Sequence, residues 1–237
     1  MLTLKTLIDK YSQENKKLYA CYIDFSKAFD KVWRNGLMFK LLKKDVGGQF
    51  GKLIQNIYLK TSVQLKLENG LTEAFQDTLG VKQGGVLSPT LFKLYVNDLP
   101  DIFNDRCDPV TLFNKKISCL LFADDIIITS ESKEGLQNAL ELLYEYTSKW
   151  KLDINLEKSK IMIFNKSGRL YNDIFTLGTH KLENVKEYTY LGIVFTPSGN
   201  FNLAINTLDK KAKKAMFKVR NTLFKTNLSP KLCLHIL

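Results

Sequence analysis

The sequence predicts an α+β fold in which an antiparallel sheet carries helices on one face. Runs rich in β-branched and aromatic residues, such as residues 18–25 and 117–122, have the composition of buried strands. They alternate along the chain with stretches such as residues 130–150, in which apolar side chains recur at helical spacing. The Asn69-Gly70 dipeptide is a strong signal for a hairpin between antiparallel strands.

The first part of the chain predicts a helix, a buried strand and further helices. Apolar residues at helical spacing indicate a short amphipathic helix over residues 3–16. Residues 18–25 are a nearly continuous apolar run, typical of a strand buried on both faces, and Asp24 interrupts that run near its end. Residues 26–44 have the spacing of an amphipathic helix that is broken near residues 35–36.

The middle of the chain predicts a hairpin and a helix that follows a glycine-rich loop. A helix is expected over residues 50–58. Period-two alternation then predicts a hairpin over residues 63–75 that is exposed on one side. A polar loop rich in glycine leads into a helix expected over residues 90–99, with Ser88 as its cap and Pro89 in its first turn.

The rest of the chain predicts a second hairpin, a long helix, a small sheet and a basic helix. The basic helix has one apolar face and one lysine face, and it follows a break at residues 197–200. The other expected elements are a loop over 100–109, strands over 117–122 and 126–129, a helix over 130–150, a strand over 161–164 and short strands within 172–196, one of them over 188–195.

The composition fits a globular chain with a polyanionic partner. Of the 237 residues, 45% are apolar and 25% are charged, which excludes a chain that is disordered throughout. The net charge of +11 favours nucleic acid as the partner, although a basic surface can also serve solubility alone. The scattered cysteines form no CxxC pair, which argues against a zinc site and favours a reduced, intracellular compartment. We expect the protein in cytoplasm and nucleus. No segment approaches the ~18 apolar residues of a membrane span.

Three aspartates are the candidate metal ligands. Asp124 and Asp125 lie between two apolar strands, where two like charges repel each other and lose hydration. A divalent cation would remove that cost, and a solvated turn is the alternative. Asp24 ends a buried strand or caps the turn that follows it. If the strands are neighbours, the three carboxylates meet, and such oxygen ligands suit Mg²⁺ or Mn²⁺. Two such ions about 3.5–4 Å apart can carry phosphoryl transfer.

Five segments in order give the chain a specific resemblance. Together they make residues 18–195 resemble the polymerase palm of reverse transcriptases, closest to those of non-LTR (LINE-type) retrotransposons. The segments are YIDFSKAFD over 22–30, QGGVLSP over 83–89, FADD over 122–125, NLEK over 155–158 before the strand at 161–164, and YLG over 190–192.

The resemblance implies a fold, an activity and a set of partners. Residues 1–197 would be the palm, with an antiparallel sheet backed by helices, and residues 198–237 the truncated start of a helical thumb. The activity would be RNA-directed DNA polymerisation with two Mg²⁺ or Mn²⁺ ions, which adds deoxynucleotides to a primer 3′ end. RNA template, DNA primer and deoxynucleoside triphosphates would be the partners, with no membrane. The resemblance leaves the oligomeric state open.

The resemblance also assigns the catalytic and nucleotide contacts. Asp24 and Asp124 would hold both metals with Asp125 beside them, and all three would be catalytic. The other residues that it assigns to the incoming nucleotide or template are Phe25 through its backbone carbonyl, Phe29 under the sugar, Gln83, Gly84, and Lys158 near the pyrophosphate. A rigid Phe29 ring would leave no room for a 2′-hydroxyl. The residues alone leave alternatives: core packing for Phe29, a bare loop at Gln83 and Gly84, and a solvated Lys158.

The resemblance assigns the remaining residues to the primer and the duplex. Tyr190, Leu191 and Gly192 would be the primer grip, and an ordinary sheet strand is the alternative. The lysine face would grip duplex phosphates without sequence preference, and a solvated face is the alternative. Its residues are Lys210, Lys211, Lys213, Lys214 and Lys218.

The chain departs from the family pattern at both ends. Too few residues precede Asp24 to hold a fingers region, and the thumb stops early, so we expect a fragment of a larger polyprotein or a decayed copy. Truncated edges should expose apolar surface and favour association or poor solubility. One alternative function is a catalytically inactive remnant that only binds nucleic acid. Another is an RNA-dependent RNA polymerase, against which the FADD segment and the aromatic Phe29 argue.

Overall fold

Six strands form the central sheet of the computed structural model, which describes residues 1–59, 61–82 and 84–225. The helices are α1 (Leu2–Gln13), α2 (Arg34–Lys43), α3 (Gly48–Leu59), α4 (Ser88–Tyr95), α5 (Lys133–Trp150) and α6 (Asn202–Lys225), with short 3₁₀ helices at Pro100–Ile102 and Asp105–Cys107. The strands of the first half are β1 (Leu18–Asp24), β2 (Ser62–Val63), β3 (Lys66–Leu67), β4 (Gly70–Leu71), β5 (Phe75–Gln76), β6 (Val110–Leu112) and β7 (Lys115–Ile117). The later strands are β8 (Cys119–Phe122), β9 (Asp125–Ser130), β10 (Lys160–Phe164), β11 (Phe175–Leu177), β12 (His180–Asn184), β13 (Tyr188–Tyr190) and β14 (Ile193–Phe195).

The strand order in the sheet is β11-β12-β10-β1-β9-β8. Strand β1 lies inside the sheet, where it pairs antiparallel with β9 on one side and β10 on the other. The expected antiparallel arrangement is wrong at one place, because β12 runs parallel to β10. The hairpin of β11 and β12 reverses the chain before β12 reaches the edge of β10, and this makes the two strands parallel.

Both faces of the sheet are covered, which corrects the expectation of helices on one face only. Alternate residues of a strand point to opposite faces. Tyr19 and Cys21 belong to a large core cluster with α2, α3, α4 and α5, whereas Ala20 and Tyr22 belong to a second cluster with α1 and the β13–β14 hairpin. Because β1 and β9 are apolar on both sides, each face of the sheet must be packed against other elements. The apolar face of α1 packs on the face that belongs to the second cluster.

The helix expected over residues 26–44 begins late. Residues 26–31 form turns, and α2 starts at Arg34, so Asn35 lies in its first turn rather than at a break. The backbone carbonyls of Phe29 and Val32 accept hydrogen bonds from residues 81 and 80. These bonds tie the turn segment to a distant part of the chain in place of a helix.

Two other boundaries also differ from expectation. Helix α4 ends at Tyr95, and Ser88 is not its cap, because the Ser88 hydroxyl donates to the carbonyl of Lys82. The hairpin turn lies one residue earlier than Asn69-Gly70, because Leu67 pairs with Gly70. The side chains of β3 and β4 are exposed, so the hairpin is not buried on one side at its tip.

The strand expected over residues 117–122 is divided. Ile117 ends β7, which pairs with β6 in a hairpin that the sequence did not indicate, and β8 begins only at Cys119. The strand expected over residues 188–195 is also divided, into β13 and β14.

Among the side chains of α6 that the structure describes, the buried one lies near the start of the helix. Ala204 is 3% exposed, whereas Ile205 and Met216 of the expected apolar face are 62% and 65% exposed. The break at 197–200 is joined to the end of the sheet, since the amide of Asn165, directly after β10, donates to the carbonyl of Pro197. Within the described ranges, no helix is both long and apolar enough to span a membrane.

Candidate active site

The register of the central strands brings the three aspartates to one end of the sheet. Asp24, the last residue of β1, pairs with Asp125, the first residue of β9. Phe122 pairs with Asp125 across the β8–β9 hairpin, so Asp124 occupies its tight turn together with Ala123, whose φ is 54°. Directly paired residues in an antiparallel sheet project to the same face. Asp24 and Asp125 therefore share one face. Their strands are neighbours, which is the condition under which the sequence predicts that the carboxylates meet.

The three carboxylates act on one another electrostatically. The pKa of Asp125 is raised, first by burial and then by the negative charges of Asp124 and Asp24. All three residues are half-buried, so solvent screens the repulsion only in part. The arrangement disfavours three bare negative charges and favours a positive charge beside them.

The segment after α5 fixes the backbone of Asp24. The amide of Asp24 donates to the hydroxyl of buried Ser159 over 3.1 Å, and the amide of Asn155 donates to the carbonyl of Asp24 over 2.8 Å. Lys158 of the same segment places its Nζ 3.7 Å from an Asp24 carboxylate oxygen. Lys158 is thus at the site. Asn155 begins the NLEK segment, whereas the supporting Ser159 had no signal of its own beyond lying beside the predicted strand.

The donor set fits a hard divalent cation, although the side chains are not arranged around one. In the part of the chain that the structure describes, no group of three His, Cys, Asp or Glu side chains is placed to hold a metal ion. The carboxylates nevertheless share the end of two paired strands, and their oxygens are the ligands that Mg²⁺ and Mn²⁺ prefer.

Two phenylalanines beside the aspartates belong to one aromatic group. Phe25 is 5% exposed, and its ring lies 6.3 Å from that of Phe92 in α4. Phe29 is half-buried, with its ring centre 5.1 Å from that of Phe92. Phe29 therefore packs on the core and also keeps an accessible side. Both the packing role and the nucleotide role predicted for it remain compatible with this position.

The glycine-rich loop is described only in part. Gly84 is exposed and has a φ of 75°, a conformation that suits glycine, and none of the described residues beyond its chain neighbours comes within 4 Å of the position of a Cβ. Gln83 lies outside the described residues. The contacts predicted for these two residues stay predictions.

The predicted primer grip is a hairpin turn, not a continuous strand. Leu191 and Gly192 have φ values of 48° and 80° and join β13 to β14. Tyr188 of β13 stacks on Tyr22 of β1 with ring centres 4.2 Å apart. Burial first, and then the negative charge of Asp125, raises the pKa of Tyr190 to about 12. The hairpin therefore covers the same face of the sheet that carries the aspartates.

The predicted duplex-binding lysines lie along the exposed length of α6. All five are exposed, namely Lys210, Lys211, Lys213, Lys214 and Lys218. Lys213 pairs with Asp209 over 2.7 Å on the same helix. The face is accessible to a polyanion, as the nucleic-acid prediction requires.

The comparisons with known proteins agree on one family. The sequence model described as reverse transcriptase (RNA-dependent DNA polymerase) matches residues 2–195. The RNA-directed DNA polymerase from mobile element jockey of Drosophila funebris is 28% identical over 86% of this chain and 22% of its own length. The Pol polyprotein from type-1 retrotransposable element R2 of Nasonia vitripennis is 27% identical over 86% of this chain and 21% of its own length.

Solved structures support the fold. Apo telomerase from Candida tropicalis, truncated from its C-terminal domain, is similar with a TM-score of 0.58 at 15% identity, over 83% of this chain and 38% of the other. At this identity the likeness concerns the fold alone, and it agrees with a polymerase palm. The chain spans about a fifth of the length of the curated relatives.

Proposed function

This chain belongs to the reverse transcriptase family, with non-LTR retrotransposon polymerases as its relatives, and we propose that it joins deoxynucleotides to a primer 3′ end by two-metal catalysis. The register of β1 and β9 is the observation that carries the proposal. It holds Asp24 opposite Asp125 and places Asp124 in the adjoining turn. We also propose that this palm is part of a longer polymerase, since its relatives extend far beyond the matched region.

The aspartates would hold Mg²⁺ or Mn²⁺ at the end of the sheet. The bound ions would supply activation of the primer hydroxyl and charge stabilisation at the pyrophosphate. The protein's own part is to fix the oxygens in place: Ser159 and Asn155 hold the backbone of Asp24, and the tight turn holds Asp124. Lys158, whose Nζ lies 3.7 Å from an Asp24 carboxylate oxygen, would contribute a further positive charge toward the pyrophosphate.

The surrounding residues would select and align the substrates. The half-buried Phe29 ring is fixed by Phe92, and such a ring excludes a 2′-hydroxyl and so favours deoxynucleotides over ribonucleotides. Gly84 is exposed and has no side chain, so a nucleotide or RNA template could approach its backbone closely. The turn at Leu191 and Gly192 would align the DNA primer, while the α6 lysines would hold duplex phosphates.

Primer extension on an RNA template tests the proposal. With Mg²⁺ or Mn²⁺ we expect deoxynucleotide incorporation, and Asp124→Asn should reduce it at least about a hundredfold, the scale of losing a preorganised charge-stabilising group. Asp105→Asn is the matched control, because Asp105 is an exposed residue paired with Lys116. Its activity should equal that of the unaltered chain.

The outcomes separate the alternatives. Binding of the primer–template without incorporation would favour an inactive nucleic-acid-binding remnant and contradict the enzymatic proposal for this chain. Faster incorporation of ribonucleotides would favour an RNA-dependent RNA polymerase. Thermal unfolding supplies a readout besides activity. Mg²⁺ should raise the melting temperature of the unaltered chain and of Asp105→Asn, and it should raise that of Asp124→Asn by a smaller amount.

A further inference from the structure

Arg34, in the first turn of α2, is buried at 7% exposure and uses every donor of its guanidinium. Nε donates to the carbonyl of Gly80 over 2.8 Å. One terminal nitrogen donates to the carbonyls of Tyr58, over 3.0 Å, and Asp77. The other donates to the Asp77 carboxylate over 2.8 Å and to the Leu79 carbonyl over 2.7 Å. Five N–H groups thus meet five acceptors.

The acceptors come from two places that would otherwise be separate. Tyr58 lies in the last turn of α3, where carbonyls lack partners within the helix. Asp77, Leu79 and Gly80 lie between the exposed hairpin and the glycine-rich loop that contains Gly84. Arg34 therefore connects the end of α3 and residues 77–80, which precede that loop, to the start of α2.

Residues 80 and 81 are also hydrogen-bonded to the turn that contains Phe29. The Gly80 amide donates to the carbonyl of Val32 over 2.9 Å, and the Val81 amide donates to that of Phe29 over 2.8 Å. Gly80 has a φ of 77°, and a Cβ there would lie 2.6 Å from the carbonyl oxygen of Asp30. The two backbones are therefore in direct contact at Gly80, and Arg34 binds the carbonyl of the same residue.

We propose that Arg34 is a positioning residue that holds residues 77–81 against the Phe29 turn and so sets where Gly84 lies relative to the Phe29 ring. The inference rests on the proposed function, because that spacing matters only if Phe29 and Gly84 meet the same nucleotide. Lysine cannot replace the planar guanidinium of Arg34 and its five donors, since an ammonium group has three donors and no planar geometry. Sugar selection would then depend on a residue that never touches the nucleotide.

Hydrogen exchange of the full chain tests the positioning directly. The amides of Gly80 and Val81 are the reporters, because both are hydrogen-bonded to the Phe29 turn. Arg34→Lys should speed their exchange at least about tenfold, since two or more bonds to a charged donor are lost. Exchange in β10 should not change. Arg106→Lys, at an exposed arginine, is the matched control. Unchanged exchange at Gly80 and Val81 would overturn the proposal.

Gly80→Ala is a second variant that leaves Arg34 in place. Its Cβ meets the backbone of Asp30, so the segment must lift and the Val81 amide should exchange faster, as in Arg34→Lys. If Gly80→Ala speeds this exchange while Arg34→Lys does not, the close glycine contact positions the segment and the role of Arg34 is refuted.

The ratio of deoxynucleotide to ribonucleotide incorporation tests the consequence for selection. Arg34→Lys should lower this ratio about tenfold and raise KM for the deoxynucleotide, whereas general destabilisation would scale both substrates equally. Faster amide exchange with an unchanged ratio would overturn the link to Phe29. If the unaltered chain incorporates no nucleotide, the proposed polymerase function fails, and the exchange of Gly80 and Val81 still decides whether Arg34 positions the segment.

Discussion

Asp125 shows how single residues at the site act against stability. A raised pKa means that the charged form of Asp125 is less favourable in the folded chain than in the unfolded one, so this residue disfavours folding at neutral pH. Burial is the first cause, and Asp124 and Asp24 add to it. A local conflict of this kind is typical of a functional site rather than of a structural turn.

Lys40 is a buried charge in α2, and each of its ammonium protons has an acceptor. Its three ammonium protons meet the Tyr95 carbonyl at 2.5 Å, an Asp98 carboxylate oxygen at 2.6 Å and the Tyr146 hydroxyl at 2.7 Å. The Trp150 ring centre lies 3.7 Å from its Nζ. Burial outweighs the pairing with Asp98 and lowers the pKa of Lys40 to about 8. This cluster joins α2 to α4 and α5.

The lowered pKa of Lys40 predicts a pH dependence with a definite sign. Between about pH 8 and the ordinary lysine value of 10.5, the unfolded chain binds the proton that the folded chain has lost, so Lys40 makes folding more favourable as pH rises. Cys21, whose pKa burial raises, acts in the opposite direction. The readout is therefore the free energy of unfolding of the unaltered chain minus that of Lys40→Met. We expect this difference to grow by on the order of 1–2 kcal/mol from pH 7.5 to 9.5.

Denaturant unfolding under reducing conditions at several pH values measures that difference. Lys43→Met is the matched control, because Lys43 lies one turn further along α2 and is exposed. Its difference from the unaltered chain should be independent of pH over the same range. A constant difference for Lys40→Met would show that Lys40 keeps its proton in the folded chain.

Charged residues of interest are easier to recognise from the sequence at strand ends than when they are buried in helices. Asp24, Asp124 and Asp125 interrupt apolar runs, and the interruption is visible in one dimension. Arg34 was assigned to a helix broken nearby, and its five acceptors come from residues 58–80, which no local pattern connects to it. Lys40 offered a signal that was not used, since it follows buried Leu37 by three positions and lies on the same helix face.

At the scale of elements, the aromatic contact of the β13–β14 hairpin with β1 matters most. Tyr188 and Tyr190 both pack on Tyr22, which is two residues from Asp24 on the same face. The hydroxyl of Tyr22 is buried and has no hydrogen-bond partner among the residues that the structure describes, so the contact depends on ring packing. A primer held by this hairpin would be placed relative to the aspartates through that stack.

The hairpin turn predicts a specific cost for one substitution. Gly192 has a φ of 80° with no atom near a Cβ position, so Gly192→Ala adds backbone strain without a clash. We expect a loss of about 1 kcal/mol in the free energy of unfolding, the cost of the left-handed conformation for a residue with a Cβ. Gly47→Ala is the matched control, because its Cβ would meet Leu42 at an ordinary 3.6 Å and its φ is not left-handed. Equal losses for the two variants would contradict the turn geometry.

The sequence indicated the existence of most elements but not how they are joined. A run such as YTYLGIVF reads as one strand because its apolar residues are continuous, and the glycine inside it was not taken as a turn. In the structure Leu191 precedes that glycine with a positive φ, a rare state for leucine that no propensity predicts. The packing of both hairpin strands on the second core cluster decides the turn.

At the scale of the whole molecule, the two-sided burial of the sheet separates what was predictable from what was not. The unbroken apolar run of β1 already required cover on both faces. That run does not predict that α1 lies on one face and α2 to α5 on the other, because the placement of the helices depends on long-range connections. The meeting of Asp24 and Asp125 was predictable because it needed only the register of neighbouring strands, whereas the layer order depends on every crossover.

The net charge of +11 predicts how binding to nucleic acid responds to salt. Lysines that neutralise phosphates release counterions, so the logarithm of affinity should fall linearly with the logarithm of salt concentration. Each lysine of α6 that contacts a phosphate contributes about 0.9 to that slope for a duplex. Lys213 is already paired with Asp209 at 2.7 Å, so it should release fewer counterions on binding than Lys214 does.

Titrations of an RNA–DNA duplex at several salt concentrations therefore give an ordered result. Lys214→Gln should weaken binding and reduce the slope by about one, and Lys213→Gln should reduce it by less. Asp209→Asn should strengthen binding, because it frees Lys213 for a phosphate. The three variants lie on an exposed helix face, so folding should be unaffected and serves as the control. Slopes that do not change in any variant would place the nucleic acid elsewhere on the molecule and remove α6 from the duplex-binding surface.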